Sequence, residues 1–223
     1  MNYGKKSVKQ KKKALQSTSS KLGRKCLLTF SKVLLLCVIA IGIIGICAGL
    51  GVFKGIIDSA PTITLEDATP TRYSSFIYDS KGNQMAKLIA EDSNRVPVTM
   101  DQIPTDLANA FVAIEDERFY QHNGIDIMGI LRAGVTAVKT GFKRQEGAST
   151  ITQQLIKNTV LTTWTQEKTL GERIKRKVQE QYLAIQLEKD TNDKSKILEQ
   201  YMNTINLGQN TLGVQAASKR YFN

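Results

Sequence analysis

Two short segments contain the side chains best suited to chemistry, and the first is residues 111–124. It ends an apolar helical pattern with Glu115 and Asp116 and continues to His122, the only histidine of the chain. The exposed carbonyls at the end of a helix disfavour negative charge, and the preceding apolar run removes water, so a carboxylate there suits general acid or base work. The alternative is an ordinary solvated acidic helix end.

The second segment, residues 147–158, is a run of uncharged hydrogen-bonding side chains that ends beside a lysine. Its polar members include Ser149, Thr150, Gln153, Gln154, Lys157 and Asn158. Helical spacing places Gln153 and Lys157 on one line of a helix, whose N-terminal N–H groups favour anions. The pattern predicts a grip for a ligand with sugar and diphosphate groups. A polar, solvent-facing helix is the alternative.

A third cluster combines opposite charges on one predicted helix. Arg176 and Glu180 are four residues apart and share a helical face, and Lys177 is adjacent. Positive neighbours favour the charged form of Glu180, so Glu115 and Glu180 are expected to divide acid–base work from electrostatic work. The alternative is an ordinary salt bridge.

The elements that must position these side chains are mainly helical. Helical spacing predicts six helices. Four of them cover 104–115, 125–140, about 150–161 and 172–189, the fifth follows Asp193, and the sixth begins near Gly213. Pro104 is expected at the first position of the first helix. In the second of these helices we expect four apolar side chains to face inward: Ile127, Ile130, Leu131 and Val135. Thr150 and Gln153 have the spacing of a capping box. Residues 76–79 and 84–89 flank a turn with Gly82 and predict one β-hairpin.

The N-terminal part has the composition of a membrane anchor. Residues 33–53 contain no charged side chain, and a spanning helix needs about 20 such residues. Residues 1–32 hold ten Lys or Arg and no Asp or Glu, which predicts a cytoplasmic tail by the positive-inside rule. We therefore expect a single-pass cell-membrane protein whose residues 54–223 lie outside the cytoplasm. A cleaved signal peptide is the alternative.

Charge and cysteine usage exclude several classes of protein. The chain has 31 Lys or Arg and 20 Asp or Glu, so the ten basic residues of the tail leave 21 basic against 20 acidic side chains elsewhere. This balance argues against a nucleic-acid partner. Cys26, Cys37 and Cys47 lie in the tail or the anchor, so no disulfide is expected in the external part. A single histidine excludes a multi-histidine zinc site.

These segments resemble the family 51 glycosyltransferase domain of class A penicillin-binding proteins and monofunctional peptidoglycan glycosyltransferases. Five motifs match in order, over about residues 72–223. They are Glu115-Asp-x-x-Phe119-x-x-His122-x-Gly124, Gly147-x-Ser149-Thr-Ile-Thr-Gln-Gln-x-x-Lys157-Asn158, Arg176-Lys177-x-x-Glu180, Ile197-Leu198-Glu199-x-Tyr201-x-Asn203 and Gly213-x-x-x-Ala217-x-x-x-Tyr221-Phe222. The resemblance implies a mainly α, lysozyme-like, two-lobed domain, with a membrane-dipping lobe formed by residues around 125–146.

The resemblance also implies a reaction and a set of roles. Lipid II units would be joined into β-1,4 glycan strands with inversion and release of undecaprenyl diphosphate, and Glu115 would be the general base. Lys157, Arg176 and Glu180 would manage the diphosphate, with Glu180 a candidate ligand for Mg²⁺ or Mn²⁺ and no organic cofactor. The remaining expected substrate-binding residues are Asp116, Phe119, His122, Ser149, Thr150, Gln153, Gln154, Asn158 and Lys177.

The expected organisation is a basic tail over 1–32, an anchor over 33–53, a stalk and hairpin linker over 54–103 and a glycosyltransferase domain over 104–223. Partners would be lipid II, the growing strand, the cell membrane and other cell-wall synthesis proteins. Two departures from the family are a longer segment before Arg176 and an end immediately after the fifth motif, which suggests a C-terminally truncated domain. The alternatives are a glycan-cleaving lysozyme-like enzyme and an inactive fragment that only binds lipid II or the wall.

Overall fold

The computed structural model describes residues 4–15, 18–90, 93–141, 143 and 147–222. Parts of the predicted tail, of the stalk and hairpin linker at 54–103 and of the membrane-dipping segment at 125–146 therefore lie outside the described residues. The chain divides into two units, Met1–Gly55 and Ile56–Asn223. Each unit is considered by itself.

The N-terminal part contains helices α1, Lys5–Leu15, and α2, Thr18–Asp58. The stretch Leu22–Asp58 is long and apolar enough to cross a membrane by its length and composition, and the predicted anchor over 33–53 lies within it. The described part of the basic tail is helical over α1, because Lys, Gln, Ala and Leu all have good helix propensity.

The second unit is mainly helical, as predicted. Its helices are α3 Thr105–Glu115, α4 Ile127–Lys139, α5 Ile151–Thr159, α6 Leu170–Thr191, α7 Lys194–Thr204 and α8 Val214–Tyr221. Short 3₁₀ turns cover Met100–Gln102, Phe119–Gln121 and Thr162–Gln166. Pro104 lies one position before the first helical residue rather than at it. Asp193 caps α7 as predicted, since its side chain accepts from the N–H groups of Ser195 and Lys196.

The predicted hairpin is present. Strands β1, Ser75–Tyr78, and β2, Gln84–Leu88, pair antiparallel. Gly82 in the turn has φ of 83°, a left-handed conformation that glycine adopts without a Cβ clash.

The core lies where α5 packs against α6 and α7. Its fully buried side chains recur at helical spacing on all three helices and include Ile151, Leu155, Ile156, Leu183, Leu187, Leu198, Tyr201 and Met202. A buried carboxylate also joins the three helices. Glu188 of α6 accepts a hydrogen bond from Thr152 Oγ1 at 2.5 Å and one from Lys194 Nζ at 2.5 Å. Such a buried charge requires partners on both oxygens.

The expectation that the apolar side of α4 faces inward is wrong. Ile127 is 67% exposed, Leu131 58% and Val135 52%, while Ile130 is 38% exposed. Helical periodicity shows that the apolar side chains share a face, but it does not show what covers that face. Among the described residues this apolar face of α4 is open.

The predicted stalk is partly packed into the second unit. Ile63 is only 6% exposed and Ala68 is fully buried, and both belong to the hydrophobic core. Asp67 folds the segment locally by accepting hydrogen bonds from the backbone N–H and the hydroxyl of Thr64, which also lower the pKa of Asp67. The sequence pattern indicated only a spacer here, because this stretch contains few large apolar residues.

Residues of the fourth motif, 197–203, hold the segment 95–100 that precedes α3. Asn203 exchanges two hydrogen bonds with the backbone of Val98, donating to its carbonyl at 2.7 Å and accepting from its N–H at 2.9 Å. The buried Arg95 donates from Nε to the carbonyl of Asn203 at 2.7 Å. Glu199 accepts from the N–H of Met100 at 2.7 Å. These contacts fix the entry into α3, the helix that ends at Glu115.

Candidate active site

Glu115 is the last residue of α3, and α5 supplies its partner. The Nε2 group of Gln154 donates to Glu115 Oε2 at 2.9 Å. Glu115 also lines a cleft with Arg118, Arg132 and Ser149. The predicted acid–base residue thus lies at a cleft, beside the predicted ligand-binding segment.

Asp116, the next residue, points into the protein instead. It is 6% exposed, and Oδ2 accepts from the N–H of Ile151, the first residue of α5, at 3.0 Å. Its Oδ1 lies 2.9 Å from His122 Nε2, and Phe119 between them is fully buried. A carboxylate at a helix N-terminus is favoured by the helix dipole. Asp116, Phe119 and His122 therefore join the end of α3 to the start of α5.

Gly124 makes a second join between these segments. Its carbonyl accepts from Thr150 Oγ1 at 2.8 Å and from Gln153 Nε2 at 3.2 Å. Thr150 caps α5 by accepting from the N–H of Gln153, but the Gln153 side chain goes to Gly124 rather than back to Thr150, so only half of the predicted capping box forms. Thr150 and Gln153 are each 1% exposed, so they act on the site from inside.

Lys177 connects the start of α5 to α6. Its Nζ donates to Ser149 Oγ at 2.9 Å, to Gln153 Oε1 at 3.1 Å and to Glu180 Oε2 at 2.9 Å. An ammonium group has three N–H donors, so these three acceptors use all of them. Because Ser149 lines the same cleft as Glu115, this network reaches the edge of that cleft.

Arg176 lies between two carboxylates. It pairs with Glu180 as predicted, and its Nε also donates to Glu167 Oε1 at 2.6 Å. The pKa of Arg176 is raised, because the two carboxylates outweigh the opposing effect of burial. The sequence pattern gave no sign of Glu167, whose distance of nine residues from Arg176 matches no helical spacing. Glu180 itself is 1% exposed.

Lys157 lies apart from this hydrogen-bonded network. Its Nζ is 4.6 Å from the centroid of the Trp164 ring, a cation–π distance, and Asn158 is half-buried beside it. Trp164, which is 39% exposed, thus contacts a residue of the predicted site.

The residues around Glu180 do not fit the predicted divalent cation. Each oxygen of Glu180 is already paired with a cation, Oε1 with Arg176 and Oε2 with Lys177. The described residues also contain no group of three or more His, Cys, Asp or Glu side chains arranged to hold a metal ion. Mg²⁺ binds through oxygen ligands, usually one or two carboxylates with substrate phosphates and waters, and here it would have to displace Arg176 or Lys177 from Glu180. A metal ion at Glu180 stays an untested prediction, and no step is derived through one.

Comparison with known proteins identifies the family of this chain. Residues 81–223 match the Transglycosylase family, and the chain belongs to that family. Several curated relatives are penicillin-binding proteins. Penicillin-binding protein 1A of Clostridium botulinum is 47% identical over 176 residues, which cover 78% of this chain and 20% of the relative. Penicillin-binding protein 1A/1B of Bacillus subtilis is 42% identical over 180 residues, covering 81% of this chain and 18% of the relative.

A third relative, penicillin-binding protein 1A of Clostridium novyi, is 44% identical over 177 residues, covering 78% of this chain and 20% of its own length. The chain therefore spans about a fifth of the length of the curated relatives that it matches. The resemblance that the five motifs indicated is confirmed at the level of the family.

Proposed function

We propose that this chain is a membrane-anchored peptidoglycan glycosyltransferase, which polymerises lipid II into β-1,4 glycan strands and releases undecaprenyl diphosphate. The observation that carries the proposal is the placement of Glu115. This carboxylate lies at a cleft and accepts a hydrogen bond from Gln154, and the cation of Lys177 reaches the same cleft through Ser149. Membership of the Transglycosylase family supports the same reaction.

In the proposed reaction, Glu115 accepts the proton of the GlcNAc 4-hydroxyl of the acceptor. The hydroxyl oxygen attacks the anomeric carbon of the lipid-linked donor, and the bond from that carbon to the diphosphate oxygen breaks. The bonding electrons leave with the diphosphate, so the α-linked donor becomes a β-linked product. Positioned cations stabilise a charge that develops on a leaving group.

The cations available for the diphosphate differ in their present partners. Arg176 and Lys177 are each paired with carboxylates, whereas Lys157 has a ring as its partner and no carboxylate among the described residues. A carboxylate partner partly neutralises a cation, so a cation without such a partner attracts a phosphate more strongly. We therefore assign the first contact with the diphosphate to Lys157. Arg176 and Lys177 would follow by exchanging a carboxylate for a phosphate oxygen.

Two apolar surfaces support the membrane location. Helix α2 contains a candidate membrane span, and α4 exposes Ile127, Leu131 and Val135. An apolar helix face that stays open is typical of a membrane contact. A polymerase with a lipid-linked substrate must meet that substrate at a membrane surface, so α4 is proposed to lie against the bilayer.

The proposal is tested with the 223-residue chain in lipid vesicles that contain labelled lipid II. We expect products that a glycan-specific hydrolase shortens, together with released undecaprenyl diphosphate. If lipid II binds but stays monomeric, the chain is a binding fragment, and the polymerase assignment is wrong for it. Shortening of preformed strands without synthesis would instead indicate the glycan-cleaving alternative.

A further inference from the structure

Tyr201 belongs to a chain of two hydrogen bonds that ends at Glu115. Its ring lies fully buried on α7, and its hydroxyl donates to Gln154 Oε1 at 3.3 Å. The Nε2 group of the same Gln154 side chain donates to Glu115 Oε2 at 2.9 Å. A side chain in the middle of the core is thus linked to the carboxylate at the cleft through one carboxamide.

The chemistry of the three groups allows only one direction for this chain. Burial and the negative charge of Glu115 raise the pKa of Tyr201, so its hydroxyl keeps its proton and donates. The acceptor on Gln154 must then be the carbonyl oxygen, which turns the NH₂ group toward Glu115. A carboxylate only accepts hydrogen bonds, so Glu115 favours the same orientation, and the tyrosine hydroxyl anchors the other end of the carboxamide.

The phenol is itself held from two sides. Tyr201 lies on α7, and its ring meets that of Phe111 edge to face, at 6.1 Å between centroids and an angle of 78°. Phe111 lies one turn before Glu115 on α3, so the same contact also fixes the helix that carries the carboxylate. Side chains locked by packing position a reactive group better than side chains on mobile loops.

We propose that Tyr201 and Gln154 are positioning residues that orient Glu115 for the proposed glycosyl transfer. The carboxamide occupies Oε2, and Oε1, which has no hydrogen-bond partner among the described residues, is left to accept the proton of the acceptor hydroxyl. The inference rests on the proposed function, since it assumes that Glu115 is the base. Tyr201 belongs to the fourth motif, so this role would link that motif to the catalytic carboxylate as well as to the packing of the fold.

The test compares Tyr201→Phe with Tyr182→Phe in the full chain in lipid vesicles. Tyr182 is a matched control on α6, because it also contacts a glutamine, accepting from Gln186 Nε2 at 2.7 Å, but does not lead to Glu115. We expect Tyr201→Phe to lower kcat about threefold to tenfold, as for one lost hydrogen bond. The KM for lipid II should stay within about twofold, and Tyr182→Phe should match the wild type.

A second measurement needs no turnover. In the chain labelled with ¹⁵N-glutamine, Gln154 is identified as the side-chain amide signal that disappears in Gln154→Met. Its amide hydrogens should exchange slowly with solvent in the wild type and in Tyr182→Phe, and faster in Tyr201→Phe. If Tyr201 had only a structural role, Tyr201→Phe would change KM and stability. It would not lower kcat or selectively speed the exchange of the Gln154 side-chain amide.

Unchanged kcat together with unchanged exchange in a folded Tyr201→Phe protein would overturn the positioning role. If Tyr201→Phe does not fold, Gln154→Met decides the same question. We expect its kcat to fall about tenfold or more, because it loses a hydrogen bond to a charged group. An unchanged kcat in Gln154→Met would contradict the positioning role. The proposed function fails separately, if the wild type makes no polymer or if Glu115→Gln polymerises normally. In that case the exchange measurement alone decides whether the hydrogen-bond chain exists.

Discussion

At the residue scale, the cationic side chains of the site differ in what they already contact. Lys177 uses all three donors on oxygen acceptors, and Arg176 is paired with two carboxylates. Lys157 meets only the face of Trp164 among the described residues. The sequence shows how many cationic side chains the site has and of which type, but it does not show which of them are already paired with carboxylates.

Lys157→Ala should therefore weaken lipid II binding without unfolding the protein. A charged hydrogen bond to phosphate contributes about 1.5–3 kcal/mol, which is about a ten- to hundredfold change in Kd. The measurement is a lipid II titration in the Glu115→Gln background, where turnover is stopped. Lys196→Ala is the control, since Lys196 is 63% exposed and pairs only with Asp193 at 3.9 Å. An equal, small change in both variants would remove Lys157 from the site.

Sequence patterns predicted some of these contacts and not others. The pairing of Arg176 with Glu180 follows from a spacing of one helical turn and is confirmed. The sequence placed Gln154 and Glu115 in one expected site but did not predict the hydrogen bond between them. That bond depends on how α3 and α5 pack, which sequence spacing does not show. The roles of Glu167 and Tyr201 were missed, since contacts between elements leave no periodic signal in one sequence.

At the scale of elements, the loop between α3 and α4 depends on Gly124. Its φ is 85°, and a Cβ there would lie 2.5 Å from the backbone carbonyl carbon of Ala184 on α6. Real side chains do not make so close a contact with a backbone atom. The loop therefore reaches α6 only with glycine at this position.

Gly124→Ala is expected to lower the free energy of unfolding by about 2–5 kcal/mol, combining a left-handed backbone penalty with overpacking. Urea unfolding followed by the fluorescence of Trp164, the single tryptophan, measures it. Gly134→Ala is the control, because the methyl group that alanine adds at this position of α4 would meet nothing within 4 Å. Gly134→Ala should be neutral or slightly stabilising. Equal effects at the two glycines would contradict the close approach of the loop.

The start of α4 should be sensitive to acid. Asp126 caps this helix by accepting from the N–H of Gly129 at 2.9 Å and pairs with Arg118 at 2.6 Å. The bond to Arg118 lowers the pKa of Asp126. A carboxylate with a lowered pKa stabilises the fold above its unfolded pKa of about 3.9, and this contribution is lost as pH falls through the folded value.

Asp126→Asn should thus be less stable than the wild type at pH 7, by about 1 kcal/mol, and the difference should shrink toward pH 3. Asparagine still caps a helix, so the variant removes mainly the charge. Urea unfolding at several pH values gives the comparison, with the exposed Asp190→Asn on α6 as control. A difference that grows at low pH would have the wrong sign for this account.

Element prediction was most successful where caps and periodicity agree. Asp193 and the apolar spacing after it predicted α7, and Gly82 predicted the hairpin turn. The same reasoning gave the right helix at α4 but the wrong environment for Ile127 and Leu131. An amphipathic pattern identifies a face, and the neighbours of that face are decided by the rest of the fold or by a membrane.

At the scale of the whole molecule, charge is distributed unevenly along the chain. The first 32 residues carry ten of the eleven units of excess positive charge, and they precede the charge-free stretch 33–53 within α2. The positive-inside rule then predicts a cytoplasmic tail and an external C-terminal part. Protease added outside intact protoplasts should digest residues beyond about 60 and spare an epitope in the tail. Protection of the C-terminal part with digestion of the tail would show the opposite orientation.

The central claim is that Glu115 is the base of a glycan polymerase, and one substitution tests it most directly. Glu115→Gln keeps the size of the side chain but cannot take up the proton, and loss of a general base typically lowers the rate by about 10²–10⁴. The initial rate of lipid II polymerisation is measured beside that of Glu66→Gln, an exposed control. We predict a loss of about this size for Glu115→Gln, with lipid II binding retained, and a normal rate for Glu66→Gln. Polymerisation by Glu115→Gln at a near-normal rate would contradict the account.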